Sequence, residues 1–180
     1  MPAPAAPFRL RAIVALIFVA VAATMLASTS SASAVGSPPS STVAAQAGQD
    51  GTGLPPVAFR INHAANVAVA QIGDPYRYGA AGPGSFDCSG LSMYSYGHAR
   101  LSLPRTSADQ YAAVRHILKK NMIRGDLVFF HSGGRIYHVG MFLYWNYEHR
   151  AVIVHSPSPG QRVHRSPVWT TSWYAGTRRP

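Results

Sequence analysis

Cysteine is nearly absent from this sequence, which has a single one, Cys88, among 180 residues. One thiol excludes an internal disulfide, the usual covalent brace of small exported domains. Three interpretations of a lone cysteine remain: pairing with another chain, an inert buried thiol, or a reactive nucleophile. The residues around Cys88 must decide between them.

Acidic residues are also scarce, with 6 Asp and Glu against 16 Lys and Arg and a formal net charge of +10. The basic residues are scattered singly or in pairs, such as Lys119–Lys120, instead of forming the stripe expected of a nucleic-acid-binding surface. We therefore predict no nucleic-acid partner. For an exported chain, this charge favours retention on anionic cell-wall polymers, and it carries no information about the fold.

The first 34 residues indicate export. Arg9 and Arg11 precede a strongly apolar run over residues 12–27, and Ala32-Ser33-Ala34 has the small-x-small pattern of a signal-peptidase site. The run is short for a membrane-spanning helix, which needs about 20 apolar residues. We predict a signal peptide over residues 1–34 and a secreted, cell-wall location, with an uncleaved membrane anchor as the alternative.

The rest of the chain divides into a linker and one domain. Residues 35–56 are rich in Ser, Pro, Gly and Ala, which is typical of a disordered linker. In residues 57–180, helical periodicity comes first and alternating strand periodicity follows after Gly125. This order predicts an α+β domain with N-terminal helices packed on an antiparallel sheet of about five strands. The predicted helices are 57–72, one from Cys88 and one capped by Thr106, and the predicted strands are 126–131, 136–145, 151–155, 162–164 and 173–178. The first helix has a predicted apolar face of Val57, Ile61, Ala64, Ala65, Ala68 and Ile72, and the third has one of Tyr111, Val114, Ile117 and Leu118.

Cys88 stands at the predicted start of the second helix, after a glycine-rich loop. A helix N-terminus lowers the pKa of a thiol, and the thiolate is the form that attacks. Ser89 and Gly90 are small and leave room for a substrate beside the first turn. This placement favours a nucleophile, although position alone leaves an inert buried cysteine open.

A cysteine nucleophile needs a base and a group that orients the base. A hairpin that turns about residues 146 and 147 places His138 opposite His155, and opposed residues have Cβ atoms about 4.5–5.5 Å apart. A wider loop about the same centre is the better turn, because Asn-Tyr is not a favoured two-residue turn. Gly140 would then leave space beside His138 for the cysteine helix. The alternative is two sheet histidines that only make hydrogen bonds in the core.

Six short motifs occur in order along the chain, and together they resemble those of a known family. They are Tyr76-Arg77-Tyr78-Gly79, Phe86-Asp87-Cys88-Ser89-Gly90-Leu91, Leu103-Pro104-Arg105-Thr106-Ser107, Arg124-Gly125-Asp126-Leu127-Val128-Phe129-Phe130, His138-Val139-Gly140-Met141 and His155-Ser156-Pro157. The set resembles the NlpC-type cell-wall peptidases, papain-like cysteine enzymes that cut the stem peptides of bacterial peptidoglycan. The resemblance runs from about residue 57 to residue 179.

The resemblance implies a papain-like fold and three catalytic residues. By position, Cys88 is the nucleophile, His138 is the general base and then the general acid, and His155 orients His138. No metal or cofactor is implied.

Substrate-binding residues are predicted around the same thiol. The resemblance implies that Tyr76, Asp87 and Ser107 line the pocket and hold the substrate peptide, and Ser89, small and next to the nucleophile, completes this predicted set. Asp87 has a second interpretation as a helix N-cap. The motif residue Arg105 has a structural interpretation, and Asp126 is predicted to cap the turn before its strand.

We therefore expect a secreted, monomeric cysteine endopeptidase that hydrolyses stem-peptide amide bonds of peptidoglycan through a thioester. The expected target is the bond between D-glutamate and the diamino acid. The alternatives are a non-catalytic wall-binding module of the same fold and an acyltransferase that uses the same three residues. A metal site built from Cys88, His138 and His155 is the weakest alternative, because their spacing matches no zinc pattern.

Overall fold

The computed structural model describes residues 53–180, so the predicted signal peptide and most of the predicted linker lie outside the described residues. The elements are α1 (Val57–Ala70), α2 (Cys88–His98), α3 (Ser107–Ala113), β1 (Arg115–Ile117), a 3₁₀ turn (Lys119–Asn121), β2 (Leu127–Ser132), β3 (Arg135–Trp145), β4 (Ala151–His155), β5 (His164–Pro167) and β6 (Trp173–Thr177). The strands form one antiparallel sheet with the order β1-β6-β2-β3-β4-β5. This arrangement confirms the predicted α+β class. No helix within residues 53–180 is long and apolar enough to cross a membrane.

The sheet buries both of its faces, since side chains alternate along its central strands. On β2, Leu127 and Phe129 pack under the helices, while Val128 and Phe130 belong to a second cluster on the opposite face. The two clusters arise because successive side chains of a strand point to opposite faces of the sheet. The helix-side cluster includes Ile61, Ala64, Ala65 and Ala68 of the predicted α1 face, with Val57 partly buried against it. Ile72 was wrongly placed on that face, because the helix ends at Ala70 and Ile72 is exposed. The opposite face is covered by loop residues, among them Met122 and Val168.

Capping residues fix where α2 and α3 begin. The Asp87 side chain accepts a hydrogen bond from the Gly90 backbone N–H at 2.7 Å, and Thr106 accepts one from the Asp109 N–H at 3.2 Å. Each cap satisfies a backbone donor that would otherwise lack a partner in the first helical turn. Cys88 is therefore the first residue of α2, as the sequence predicts.

The third helix is shorter than its apolar pattern suggests, because its end pairs with the sheet. Val114 is extended, and Arg115–Ile117 forms β1 against β6, with Arg115 opposite Thr177. Val114 and Ile117 would share a face in a helix, yet they contact different clusters on opposite faces of the sheet. Pairing with β6 thus overrides a pattern that also fits a helix. The strand β1, which the sequence did not predict, is thus the sixth strand of the sheet.

The β3–β4 hairpin has a different register from the predicted one. Trp145 pairs with Ala151 and Met141 with Val154, so position 138 is not opposite 155. The turn spans residues 146–150 and is held by the Asn146 side chain, which accepts hydrogen bonds from the N–H groups of Glu148 and Arg150. A bulge between Phe142 and Tyr144 adds a further shift. The last strand before β6 also differs, since β5 covers His164–Pro167 instead of 162–164.

Candidate active site

Cys88 lies where the start of α2 meets the end of β4. The Ser156 hydroxyl donates to the carbonyl of Phe86 at 2.7 Å, which ties the residues before Cys88 to the residue after β4. The paired part of β4 ends opposite Met141, so residues 138 and 139 of β3 have no β4 partner. The backbone N–H of Val139 faces the Cys88 sulfur there. The thiol therefore lies against β3 directly beside residue 138.

Burial, rather than the helix end, dominates the electrostatics of Cys88. Desolvation raises the pKa of the thiol above its ordinary value, and the Asp87 carboxylate raises it further. The backbone N–H groups of Val139, Ser89 and Cys88 itself act in the opposite direction and do not outweigh the burial. The expectation of a lowered thiol pKa at the helix start is thus wrong for the free protein. Cys88 rests as a neutral thiol.

His138 and His155 are in direct contact. His138 Nε2 lies 2.8 Å from His155 Nδ1, and the rings are nearly perpendicular, at 77°. Continued by one residue, the observed register places Gly140, and not His138, opposite His155. A Cβ built at Gly140 would lie 3.4 Å from the His155 Cβ and 2.6 Å from a methyl carbon of Ile153. The two imidazoles therefore meet diagonally across the strands. The space beside Gly140 is filled by β4 side chains and not by the cysteine helix.

Burial keeps both imidazoles neutral. It lowers the pKa of His138 to about 4, and burial followed by repulsion from His138 and His164 lowers that of His155 to about 3. Because His138 Nε2 is occupied by His155, Nδ1 is the nitrogen left for the thiol. Across residues 53–180, no hydrogen bond yet joins Cys88 to either imidazole. Such contacts are often loose before substrate binds.

Ser166 extends this pair to a chain of three side chains and is a residue that sequence reasoning missed. Its hydroxyl lies 3.1 Å from His155 Nε2. In one tautomer of His155, its Nε2–H donates a hydrogen bond to the Ser166 oxygen, and its Nδ1 accepts a hydrogen bond from His138 Nε2–H. His138 Nδ1 then carries no proton and can act as a base. No local sequence signal identifies Ser166, because its position depends on the pairing of β4 with β5, which places it opposite Ile153.

Arg105 and Asp87 form the second cluster at the site. Burial alone would raise the pKa of Asp87, but hydrogen bonds from Arg105 and from the Gly90 and Gly79 backbone outweigh it and hold that pKa below its ordinary value. Arg105 Nη1 donates to the Asp87 carboxylate and to the Ser89 hydroxyl, at 3.0 Å in each case. The structural interpretation of Arg105 and the N-cap interpretation of Asp87 are both confirmed.

The remaining predicted substrate-binding residues differ in burial, and an electrostatic interaction with Cys88 is seen for Tyr76. Tyr76 is half-buried; desolvation raises its pKa, and the nearby Cys88 and Asp87 add to that effect. Ser107 is half-buried as the first residue of α3, whereas Ser89 is buried. Binding roles for Tyr76, Asp87, Ser89 and Ser107 stay predictions.

The other histidines of the sheet do not complete a metal site. His164 packs against His155 with ring centroids 4.8 Å apart, and His131 stacks on Tyr174 at 4.2 Å. No group of three or more His, Cys, Asp or Glu in the described part of the chain is placed to hold a metal ion.

Asp126 has the predicted capping role, since its carboxylate accepts a hydrogen bond from the Ile123 N–H at 2.8 Å and pairs with Arg179.

Comparison with known proteins places this site in a family. The family model described as NlpC/P60 matches residues 73–179. A probable endopeptidase p60 of Listeria monocytogenes is 46% identical over 79 residues, which is 43% of this chain but only 16% of that protein. The peptidoglycan hydrolase RipB of Mycobacterium tuberculosis superposes with a TM-score of 0.58 and 26% identity over 69% of this chain and 67% of that chain. RipD of the same organism is described as a non-catalytic domain adapted to peptidoglycan binding. It superposes with a TM-score of 0.56 and 25% identity over 66% of this chain and 97% of that chain.

Proposed function

Since the chain belongs to the NlpC/P60 family, we propose that it is a peptidoglycan endopeptidase in which Cys88 is the nucleophile, His138 the base and His155 the orienting residue. The observation that carries the proposal is the contact between two buried, neutral imidazoles beside the strand residue whose N–H faces the thiol. The proposal is supported by the likeness to RipB, a peptidoglycan hydrolase, and to the Listeria protein, a probable endopeptidase.

The neutral resting state defines the proton transfers of the proposed reaction. As the Cys88 sulfur attacks the amide carbonyl, the thiol proton moves to His138 Nδ1. The His138 imidazolium, held by His155 through Nε2, then gives this proton to the leaving amine. Backbone N–H groups at the start of α2 stabilise the oxyanion, a contribution on the order of 3 kcal/mol for one donor. Water next attacks the thioester with His138 as base, which releases the acid and restores the thiol.

The substrate and location follow as parts of the same proposal. The bond attacked is the one between D-glutamate and the diamino acid of the stem peptide. Export by the N-terminal 34 residues would deliver the enzyme to the wall. The excess of basic over acidic residues, which remains without the two arginines of that segment, would help to hold the enzyme near anionic wall polymers. We further propose that it acts as a monomer.

The experiment compares fragments that wild type and Cys88→Ala release from purified peptidoglycan, identified by mass spectrometry. We expect wild type to release fragments that end at D-glutamate, whereas Cys88→Ala releases none. EDTA should leave the wild-type activity intact, and iodoacetamide should abolish it. Equal digestion by Cys88→Ala would refute the catalytic role of the thiol. Fragments with a different new terminus would refute only the bond assignment.

A second function, peptidoglycan binding without catalysis, is favoured by the likeness to RipD. In that case wild type and Cys88→Ala would bind peptidoglycan equally and neither would release fragments. An acyltransferase with the same three residues would instead give products in which an added amine replaces water on the acyl group. The fragment masses distinguish all three outcomes.

A further inference from the structure

All three tryptophans of the chain line one groove on the sheet face opposite the helices. Trp145, Trp169 and Trp173 border an open cavity of about 560 Å³ together with Lys119 and Arg150. Trp145 and Trp169 are 39% and 51% exposed, so two indole surfaces are open to solvent. Exposed aromatic surface on this scale marks a place where something binds.

Local backbone features direct these indoles into the groove. The bulge between Phe142 and Tyr144 shifts the alternation of β3, so Trp145 lies on the face of Phe142, with ring centroids 5.3 Å apart. Trp169, between β5 and β6, stacks on Phe130 at 4.2 Å and 6°. One face of Trp169 is thereby fixed against Phe130, while about half of the side chain stays open to solvent. The bulge thus turns the large side chain of Trp145 to the other face of the sheet.

The polar lining of the groove is basic. Lys119 Nζ lies 4.0 Å from the centre of the Trp173 ring and donates to the Thr171 carbonyl at 3.2 Å. Arg150 contributes a second cation, and the nearby Glu148, 3.8 Å from it, is at the hairpin tip and does not line the groove. No Asp or Glu lines this cavity within residues 53–180. The groove thus suits a ligand with carboxylate groups as well as flat apolar surfaces.

Trp169 joins the groove to the proposed catalytic residues. Its ring lies 5.4 Å from the His155 ring and 5.8 Å from that of His138. A branched polymer whose reacting bond lies beside His138 can therefore extend another part across Trp169 towards Trp145.

We propose that this groove binds the sugar chain of peptidoglycan, the polymer to which the stem peptide is attached. Pyranose rings have flat C–H faces that pack on indoles, and the carboxylates of sugar units that carry no stem peptide would pair with Lys119 and Arg150. This inference rests on the proposed function, and it adds a second contact region on the same substrate, separate from the peptide pocket at Tyr76 and Ser107.

Tryptophan fluorescence tests the proposal directly, because every tryptophan of the chain lies in the groove. The probe is a soluble glycan strand whose peptides have been removed, titrated into the full chain carrying Cys88→Ala. We expect a saturable change in emission. A separate titration with a phosphate-bearing wall polymer tests whether the groove binds that kind of anionic polymer instead. A change with that polymer alone, or no change with glycan, would overturn the proposal.

Matched variants locate the binding. Trp145→Ala and Lys119→Ala should each weaken glycan binding at least about tenfold, while the controls Tyr147→Ala and Lys120→Ala, which lie outside the groove, should keep it within about twofold. Equal binding by all four would overturn the proposal, and thermal melting checks that each is folded. Hydrolysis of a free stem peptide by the wild type tests the proposed function separately, since that peptide carries no sugar.

Discussion

Burial gives single residues of the site their protonation states. Cys88 is half-buried and its desolvated thiol is hard to ionise, while His138 and His155 are buried and hard to protonate. A thiolate–imidazolium pair would need two charges in a region that excludes water, and the three backbone N–H groups near the sulfur do not offset that cost. The free protein therefore holds a neutral pair, and charge develops only during attack on the substrate.

The neutral pair predicts the reactivity of the free thiol. Iodoacetamide reacts with the thiolate, so its rate with the folded protein should be low between about pH 5 and about pH 8 and rise only at alkaline pH. Cys88 is the sole cysteine, so the rate reports one sulfur, and the same chain in denaturant supplies the curve of an ordinary thiol. A rate plateau that begins near pH 5 would contradict the neutral pair and indicate a thiolate.

Ser166 should act as a positioning residue through His155. Ser166→Ala removes a hydrogen bond of about 1 kcal/mol that holds one tautomer, so we expect kcat to fall about fivefold with KM unchanged. Ser166→Thr retains the hydroxyl and should restore kcat, and the exposed Ser132→Ala serves as a control. An unchanged kcat in Ser166→Ala, or a change in KM alone, would count against this role.

At the scale of elements, the close approach of α2 to the preceding loop sets the position of the thiol. A Cβ at Gly90 would lie 2.1 Å from the backbone oxygen of Ala80, whereas a Cβ at Gly97, in the same helix, would meet nothing within 4 Å. The first turn of α2 can therefore pack on the loop only without a side chain at position 90.

Two alanine substitutions in α2 should consequently have opposite effects. Gly90→Ala forces the helix away from rigid backbone and should destabilise the protein by about 1–3 kcal/mol and reduce activity. Gly97→Ala should stabilise it by up to about 1 kcal/mol, because alanine is the better helix former. Denaturant unfolding measures both values. Similar stabilities for the two variants would show that the contact with Ala80 is not needed.

The elements also show which features could be read from the sequence. The start of α2 and the buried face of α1 are local, since a cap and an apolar repeat specify them, and both were predicted. The β1 strand was mistaken for helix because Val114 and Ile117 fit either period, and only the distant β6 decides. The bulge at Phe142 and the contact of His155 with Ser166 depend on pairing between strands, for which the sequence has no local signal.

At the scale of the whole molecule, the buried histidines connect stability to pH. Both folded pKa values, about 4 for His138 and about 3 for His155, lie below the ordinary value of an imidazole. The unfolded chain therefore binds protons first as the pH falls. The stability that neutral imidazoles contribute is complete above about pH 6.5 and is lost as the pH falls towards 4 and 3.

The corresponding prediction concerns the free energy of unfolding between pH 7 and pH 4. We expect the wild type to lose on the order of 3 kcal/mol more over this range than His138→Gln, whose amide does not titrate. The exposed His63→Gln is the matched control and should follow the wild type. Denaturant melts at several pH values give these free energies. Parallel curves for the wild type and His138→Gln would contradict the account.

The most direct test of the central claim is to trap the covalent intermediate on Cys88. Wild-type protein would be mixed with a stem peptide, quenched in acid within a turnover, and analysed by mass spectrometry after digestion. We predict that the peptide containing Cys88 gains the mass of the acyl fragment as a thioester, and that Cys88→Ser accumulates no thioester and turns over far more slowly. Hydrolysis that continues in Cys88→Ala, with no acyl group on Cys88 in the wild type, would contradict the account.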